Sequence, residues 1–219
     1  MKGLILKDFY NVSKYLKSML LMIIIMAIMT VKFDTENFNV SGIVAMSGIL
    51  YAMTIFTTFS FDDACEWNKF ALISPVTKKD IVKAKFISLV LFCFIGVLVG
   101  TIIAIGTSLA FGKFTNIKEE LIVYSILVVI SLSISSIFGS TSIPFVYKIG
   151  VEKARNYLIL TYIVPIGVFF LIYKILTLLG VVFTEELLVI LGFLSPIIAI
   201  IWIFIMYKIS IKFFDKEEF

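Results

Sequence analysis

No histidine occurs among the 219 residues, which removes imidazole metal sites, His-dependent catalytic dyads and His proton relays. Acids are missing where a coupled carrier would need them. No Asp or Glu falls in the middle of a long apolar run, so the buried carboxylate of many proton- or sodium-driven transporters is absent. Neither GxxxxGK[ST] nor any other glycine-rich phosphate loop is present, so this chain does not bind ATP by that route. The two cysteines imply no disulfide framework, because Cys65 stands beside a charged segment and Cys93 inside an apolar one. Linkers rich in Pro, Gly or Ser, low-complexity tails and internal repeats are also lacking, which indicates one domain over 1–219. The first apolar stretch runs past Met22, Met26 and Met29 to Lys32 without a small-residue cleavage site, which favours a permanent span over a removed signal.

What is abundant is apolar. The chain is 61% hydrophobic and 16% charged, with a mean hydropathy of +1.10, against about 45–50% apolar and about 25% charged in soluble domains. The charges are bunched between long apolar runs, the pattern expected when lipid is the solvent for the rest. Six spans are predicted: Leu16 to Val31, Val40 to Phe61, Phe86 to Phe111, Leu121 to Tyr147, Tyr157 to Leu179 and Leu187 to Ile209. With both ends on one side, 15 of the 19 Lys and Arg residues share that side. The positive-inside rule makes it the cytoplasm. The net charge of +4 and pI near 8.9 are thereby explained by orientation rather than by nucleic-acid binding. The expected fold class is an all-α polytopic membrane protein.

Three patterns inside this frame carry information. Residues 1–15 place Ile5, Phe9 and Val12 on one helical face and Lys7, Asn11 and Lys14 on the other, an opposition that favours a helix in the membrane interface over a plain extension of the first span. Ser47, Tyr51, Thr54 and Thr58 form a polar stripe on the second span, a candidate substrate or dimer face; their hydroxyls can equally satisfy their own helix backbone. Gly96 and Gly100, and the row Ser131, Ser135 and Gly139, are small residues at four-residue spacing that permit close helix approach, with static packing the plainer reading.

The loop over 62–85 is too long for a turn and holds much of the charge. Asp62, Asp63 and Glu66 suit the first turn of a helix. Trp67, Phe70 and Leu72 supply apolar contacts, Pro75 stops that helix, and Thr77 with Asp80 reads as the N-cap of the next. Spacing leaves open whether this segment rests on lipid headgroups or docks a soluble partner. A second charged loop, 148–155, carries Lys148, Glu152, Lys153 and Arg155.

The MKGLILKD start, the loop FSFDDACEWNKFALISPVTKKDIVKAKF and the stretch IPFVYKIGVEKAR (Ile143 to Arg155) together resemble the membrane subunits of type-2 ABC exporters of Gram-positive bacteria, in the small permease branch that includes the phenol-soluble modulin exporters. The resemblance runs in order along essentially the whole chain. Similar sequences often carry Phe at the position of Ile149 and Glu at that of Asp63. It implies an N-terminal elbow helix over 1–15, six transmembrane helices with both termini cytoplasmic, and pairing with a second permease, identical or paralogous. It implies a separate ATPase subunit that binds ATP and Mg, docked through Asp62, Asp63, Glu66, Trp67, Phe70, Leu72 and Pro75, with Lys148, Glu152, Lys153 and Arg155 as a second docking loop.

The resulting expectation is a permease, not an enzyme, with no catalytic, cofactor or metal residues of its own. It would export a hydrophobic or amphipathic substrate, peptide or lipid-like, since the spans offer hydroxyls but no central charge; the resemblance implies a peptide first of all. The alternatives are a non-transporting immunity or scaffold protein, and a passive channel or carrier. An intramembrane hydrolase ranks last, because no nucleophile has an evident base beside it.

Overall fold

A computed structural model describes residues 2–32, 40–67, 70–71, 76–110, 117–178 and 185–215. These form helices α1 (Lys2–Lys32), α2 (Val40–Ala64), α3 (Lys78–Ala110), α4 (Ile117–Ile149), the short α5 (Val151–Asn156), α6 (Leu158–Leu178) and α7 (Glu185–Phe214), with no strand among the described residues. All but α5 contain stretches long and apolar enough to cross a membrane, so the protein is an all-α, multi-pass membrane protein. A spanning segment must satisfy its backbone internally, which a continuous helix does. Pro144, Pro165 and Pro196 sit inside α4, α6 and α7, as neighbouring helices in a membrane bundle permit.

Two boundaries differ from those expected. The segment 1–15 and the first span form one continuous helix of 31 residues, because no proline or glycine lies between Leu4 and Lys32 to break it. The loop over 62–85 is shorter at both ends. Asp62 and Asp63 close α2 instead of opening a new helix, and α3 begins at Lys78. That start is fixed by a capping box. The Thr77 hydroxyl accepts from the Asp80 backbone N–H at 3.2 Å, while the Asp80 carboxylate accepts from the Thr77 hydroxyl at 2.7 Å and from its backbone N–H at 3.3 Å. From there the apolar sequence carries the helix unbroken through the membrane.

α2 is the centre of the bundle. It packs on α3, α4 and α1, while α4 carries α7 and α6 on its other side. The α2–α3 contact is close because Gly96 and Gly100 face it. A Cβ at Gly96 would lie 2.5 Å from the Tyr51 Cβ and 2.8 Å from the Ser47 carbonyl oxygen, and one at Gly100 would collide with the Ser47 hydroxyl. The α2–α4 contact uses the serine row: Gly48 lies against Ser135, and Gly139 against Ala52 and Leu89. The stripe Ser47, Tyr51, Thr54 and Thr58 is therefore buried inside the single chain and is not an open substrate or dimer face here. Ser47, Thr54 and Thr58 donate to carbonyls of their own helix at 2.8, 2.6 and 2.7 Å, and the Tyr51 hydroxyl donates to the Leu16 carbonyl of α1 at 3.2 Å.

Candidate functional site

The ends of α1, α2, α3, α4 and α7 that lie nearest the chain termini meet at one pole of the bundle. Its apolar floor joins Val12, Phe59, Phe86, Val146, Tyr147 and Phe214. Both loops contribute to the same cluster, Ala71 from the first and Ala154 from α5. At the first loop the chain leaves α2 through Glu66, which adopts a left-handed φ of 48°. At the second, Gly150 turns the chain with φ 79°, a conformation that glycine adopts without steric cost.

Inside this pole lies a closed group of charges. Lys85 is 3% exposed, Asp8 1% and Asp62 4%. The Lys85 ammonium donates to Asp8 Oδ1 at 2.9 Å and to the Thr58 hydroxyl at 2.8 Å, and pairs with Asp62 Oδ2 at 2.7 Å. An ammonium has three donors, and all three are used. Ser88 donates to the other Asp8 oxygen at 2.9 Å. Lys7 closes the group with a hydrogen bond to Asp62 Oδ1, and its ammonium lies 3.6 Å from Asp8 Oδ1. Two lysines thus balance two aspartates, as burial demands. The cations also sit over aromatic faces, Lys85 at 4.8 Å from the Phe59 ring centroid and Lys7 at 4.5 Å from that of Trp67. A carboxylate at a helix C-terminus opposes the helix dipole, so Asp62 is held at the end of α2 by the lysines of α1 and α3.

The mechanical meaning follows from the connectivity. Asp62 lies in the last turn of α2, where the first loop departs, Lys7 and Asp8 belong to α1, and Lys85 belongs to α3. A displacement of the loop cannot leave α1 and α3 behind without opening a buried ion pair, and breaking one costs about 3–5 kcal/mol.

The residues singled out in the first loop separate by environment. Asp62 is turned inward and committed to the lysines, which corrects its placement among surface docking groups. Trp67 is half-buried against the apolar cluster, and its indole N–H is buried without a hydrogen-bond partner among the described residues. Asp63, Glu66 and Phe70 are exposed, Phe70 at 62%. Leu72 and Pro75 lie outside the described residues. In the second loop Lys148, Glu152, Lys153 and Arg155 are all exposed, and Lys148 lies 5.6 Å from the Phe213 ring centroid of α7. Cys65 is exposed and Cys93 buried, both as free thiols.

Sequence reasoning missed the grouping of Asp8, Lys7 and Lys85, placing Lys7 on the polar face of an interfacial helix and counting both lysines as markers of orientation. A signal was present. Asp8 stands three residues after Ile5 and four before Val12, and Lys85 four after Ile81 and four before Leu89. Each is an ionisable group on an apolar face, where it needs a partner.

The family model for ABC-2 family transporter proteins matches residues 3–215. The chain belongs to the ABC-2 transporter family. It is a membrane transport subunit, and the match covers the described helices but for Lys2, the first residue of α1. No curated protein and no solved structure gives a significant match to this permease.

Proposed function

We propose that this permease is the membrane half of an ATP-driven exporter, paired with a second permease and served by separate ATPase subunits that bind ATP and Mg. The observation that carries the reading is the convergence of both loops on one apolar cluster, pinned through Asp62, Lys85, Lys7 and Asp8 to α1 and α3. In a transporter whose energy is supplied from outside the membrane, a rigid junction of this kind lets a push on a loop tilt two spans together. The pole with the termini faces the cytoplasm, in keeping with the positive-inside excess. Phe70 is the apolar anchor for the ATPase, with Asp63 and Glu66 beside it for basic residues of that subunit. Trp67 supports the loop from beneath. The second loop, with Lys148, Glu152, Lys153 and Arg155 exposed, adds a rim contact. The cargo is a hydrophobic or amphipathic molecule, a peptide foremost, since the exposed faces of the spans are overwhelmingly apolar. The branch that includes the phenol-soluble modulin exporters fits this cargo class.

The test is co-purification in mild detergent from native membranes. A Walker-type ATPase is expected in stoichiometric amount with the tagged permease. Phe70→Ala should reduce its recovery at least tenfold without changing the permease's melting temperature, whereas Trp67→Ala should lower both. Absence of any ATPase from repeated gentle and cross-linked preparations would instead favour the binding-protein or passive-carrier readings.

A further inference from the structure

The start of α3 and the end of α7 lie side by side at the terminal pole. Lys85 turns to Asp8 of α1, whereas its neighbour Phe86 meets Tyr207 of α7 edge to face, with ring centroids 5.7 Å apart. Nearer the helix ends the Lys78 ammonium donates to the Phe214 carbonyl at 3.2 Å. Beside this seam each helix presents an exposed stripe, Lys79, Lys83 and Phe94 on α3 and Lys212, Lys208 and Phe204 on α7, each at the spacing of one helical face. α3 leaves the pole and α7 returns to it, so the lysines meet at the pole and the phenylalanines deeper in the membrane. No carboxylate neutralises the lysines within the groove. α3 has no acid after Asp80, and α7 has none after Glu186. Asp80 is held in the Thr77 cap, and Asp215 stands past the end of α7. Lys208 rests 4.8 Å from the Phe204 ring centroid, and none of the four lysines makes an ion pair among the described residues.

We infer that this groove between α3 and α7 binds an anionic phospholipid of the leaflet on the side of the termini, its phosphate between Lys83 and Lys208 and an acyl chain along Phe94 and Phe204. A ligand complementary to the whole groove is anionic at one end and apolar along the rest, which describes such a lipid. Lysines near the membrane surface favour anionic headgroups, and their alkyl stems lie on apolar surface while the ammonium reaches the headgroup level. The positive-inside excess accounts for lysines at this pole, but not for their placement on both banks of one seam. Charge also selects lipid over a second copy at this groove. An isologous contact presents the same patch from both subunits and would set lysines against lysines. The lipid goes beyond the exporter reading: it is a ligand of the permease itself, independent of any ATPase.

The experiment is native mass spectrometry of the full-length permease in mild detergent, with phosphatidylglycerol or phosphatidylcholine of identical acyl chains added. The wild type is expected to retain one phosphatidylglycerol about tenfold more strongly than phosphatidylcholine. Lys83→Gln combined with Lys208→Gln, both at exposed positions, should abolish the preference. Lys14→Gln combined with Lys17→Gln, an equal loss of charge at exposed positions of α1, should leave it intact. Equal retention of the two lipids by the wild type overturns the inference, as does a preference that survives the changes at Lys83 and Lys208 or is lost equally with those at Lys14 and Lys17. So does an intermolecular disulfide in native membranes through Val90→Cys, an exposed position of α3, in a Cys65→Ser background, which would identify a second copy as the occupant. Displacement of the lipid by an equimolar anionic amphipathic peptide would likewise overturn it, by making the groove a cargo site.

Discussion

α1, α2 and α3 are joined by buried charges, hydroxyls and glycine contacts, whereas α6 and α7 are attached chiefly through α4, and α6 turns most of its large apolar side chains outward. The first group has a fixed geometry, since Lys85 holds three acceptors at once and the helix contacts at Gly96 and Gly100 leave no room for a side chain. The second packs on α4, α7 extensively and α6 less so, with a few polar contacts such as the Trp202 indole N–H to the Thr141 hydroxyl at 3.1 Å and the Ser195 hydroxyl to that of Ser133 at 3.2 Å. The rigid region adjoins the loops, and the outward-facing region offers surface to lipid or to another subunit. Lipid tails are as apolar as Leu, so exposed apolar helices carry no penalty in a membrane and specificity there comes from packing and polar contacts.

The strongest way to break this contrast is Lys85→Met. It leaves Asp8 and Asp62 buried with only Lys7 to balance them, and should cost about 3–5 kcal/mol, read as a large fall in detergent melting temperature. Adding Asp8→Asn to it restores charge balance through the Lys7–Asp62 pair and should recover part of the loss. A Lys85→Met protein that melts like Ile166→Ala, a change on the exposed face of α6, would remove the difference between the two regions. The next effect is steric. Gly100→Leu should destabilise by about 1–3 kcal/mol through overpacking, while Gly167→Ala in α6, where a Cβ meets nothing within 4 Å, should stay within about 0.5 kcal/mol of wild type; thermal melts of the two variants compare them directly. The smallest is the cap of α3. Thr77→Ala should cost about 1 kcal/mol, seen as a modest melting shift and faster amide hydrogen exchange over the first turn of α3.

Much of this architecture was legible in the sequence because lipid imposes long apolar runs with charges between them. The runs located six crossings, the small-residue rows located the close contacts, and Thr77 with Asp80 marked the start of α3. What sequence could not supply was direction around each helix. The stripe from Ser47 to Thr58 could face substrate, partner or neighbouring span, and only the packing of Gly96 and Gly100 against it decides. Asp62 was equally ambiguous. Its neighbours Asp63 and Glu66 are exposed, and nothing in their order tells which carboxylate turns inward; that depends on Lys7 and Lys85, which are distant in sequence. The opening segment was amphipathic, but its apolar face meets Phe92 and other bundle residues rather than lipid alone.

Whether the first loop and α1 move as one body is the most direct question. Cys65 is exposed and Cys93 buried, so spin labels can be placed on Cys65 and on an exposed Ser13→Cys in the permease–ATPase complex, and their distance measured by pulsed electron paramagnetic resonance with and without ATP. A rigid junction predicts one narrow distance unchanged by nucleotide in the otherwise wild-type chain, and a broad, nucleotide-sensitive distribution once Asp62→Asn is added. A distance that shifts with ATP while Asp62 is intact, or one that stays narrow in the variant, would contradict the role assigned to the buried charges.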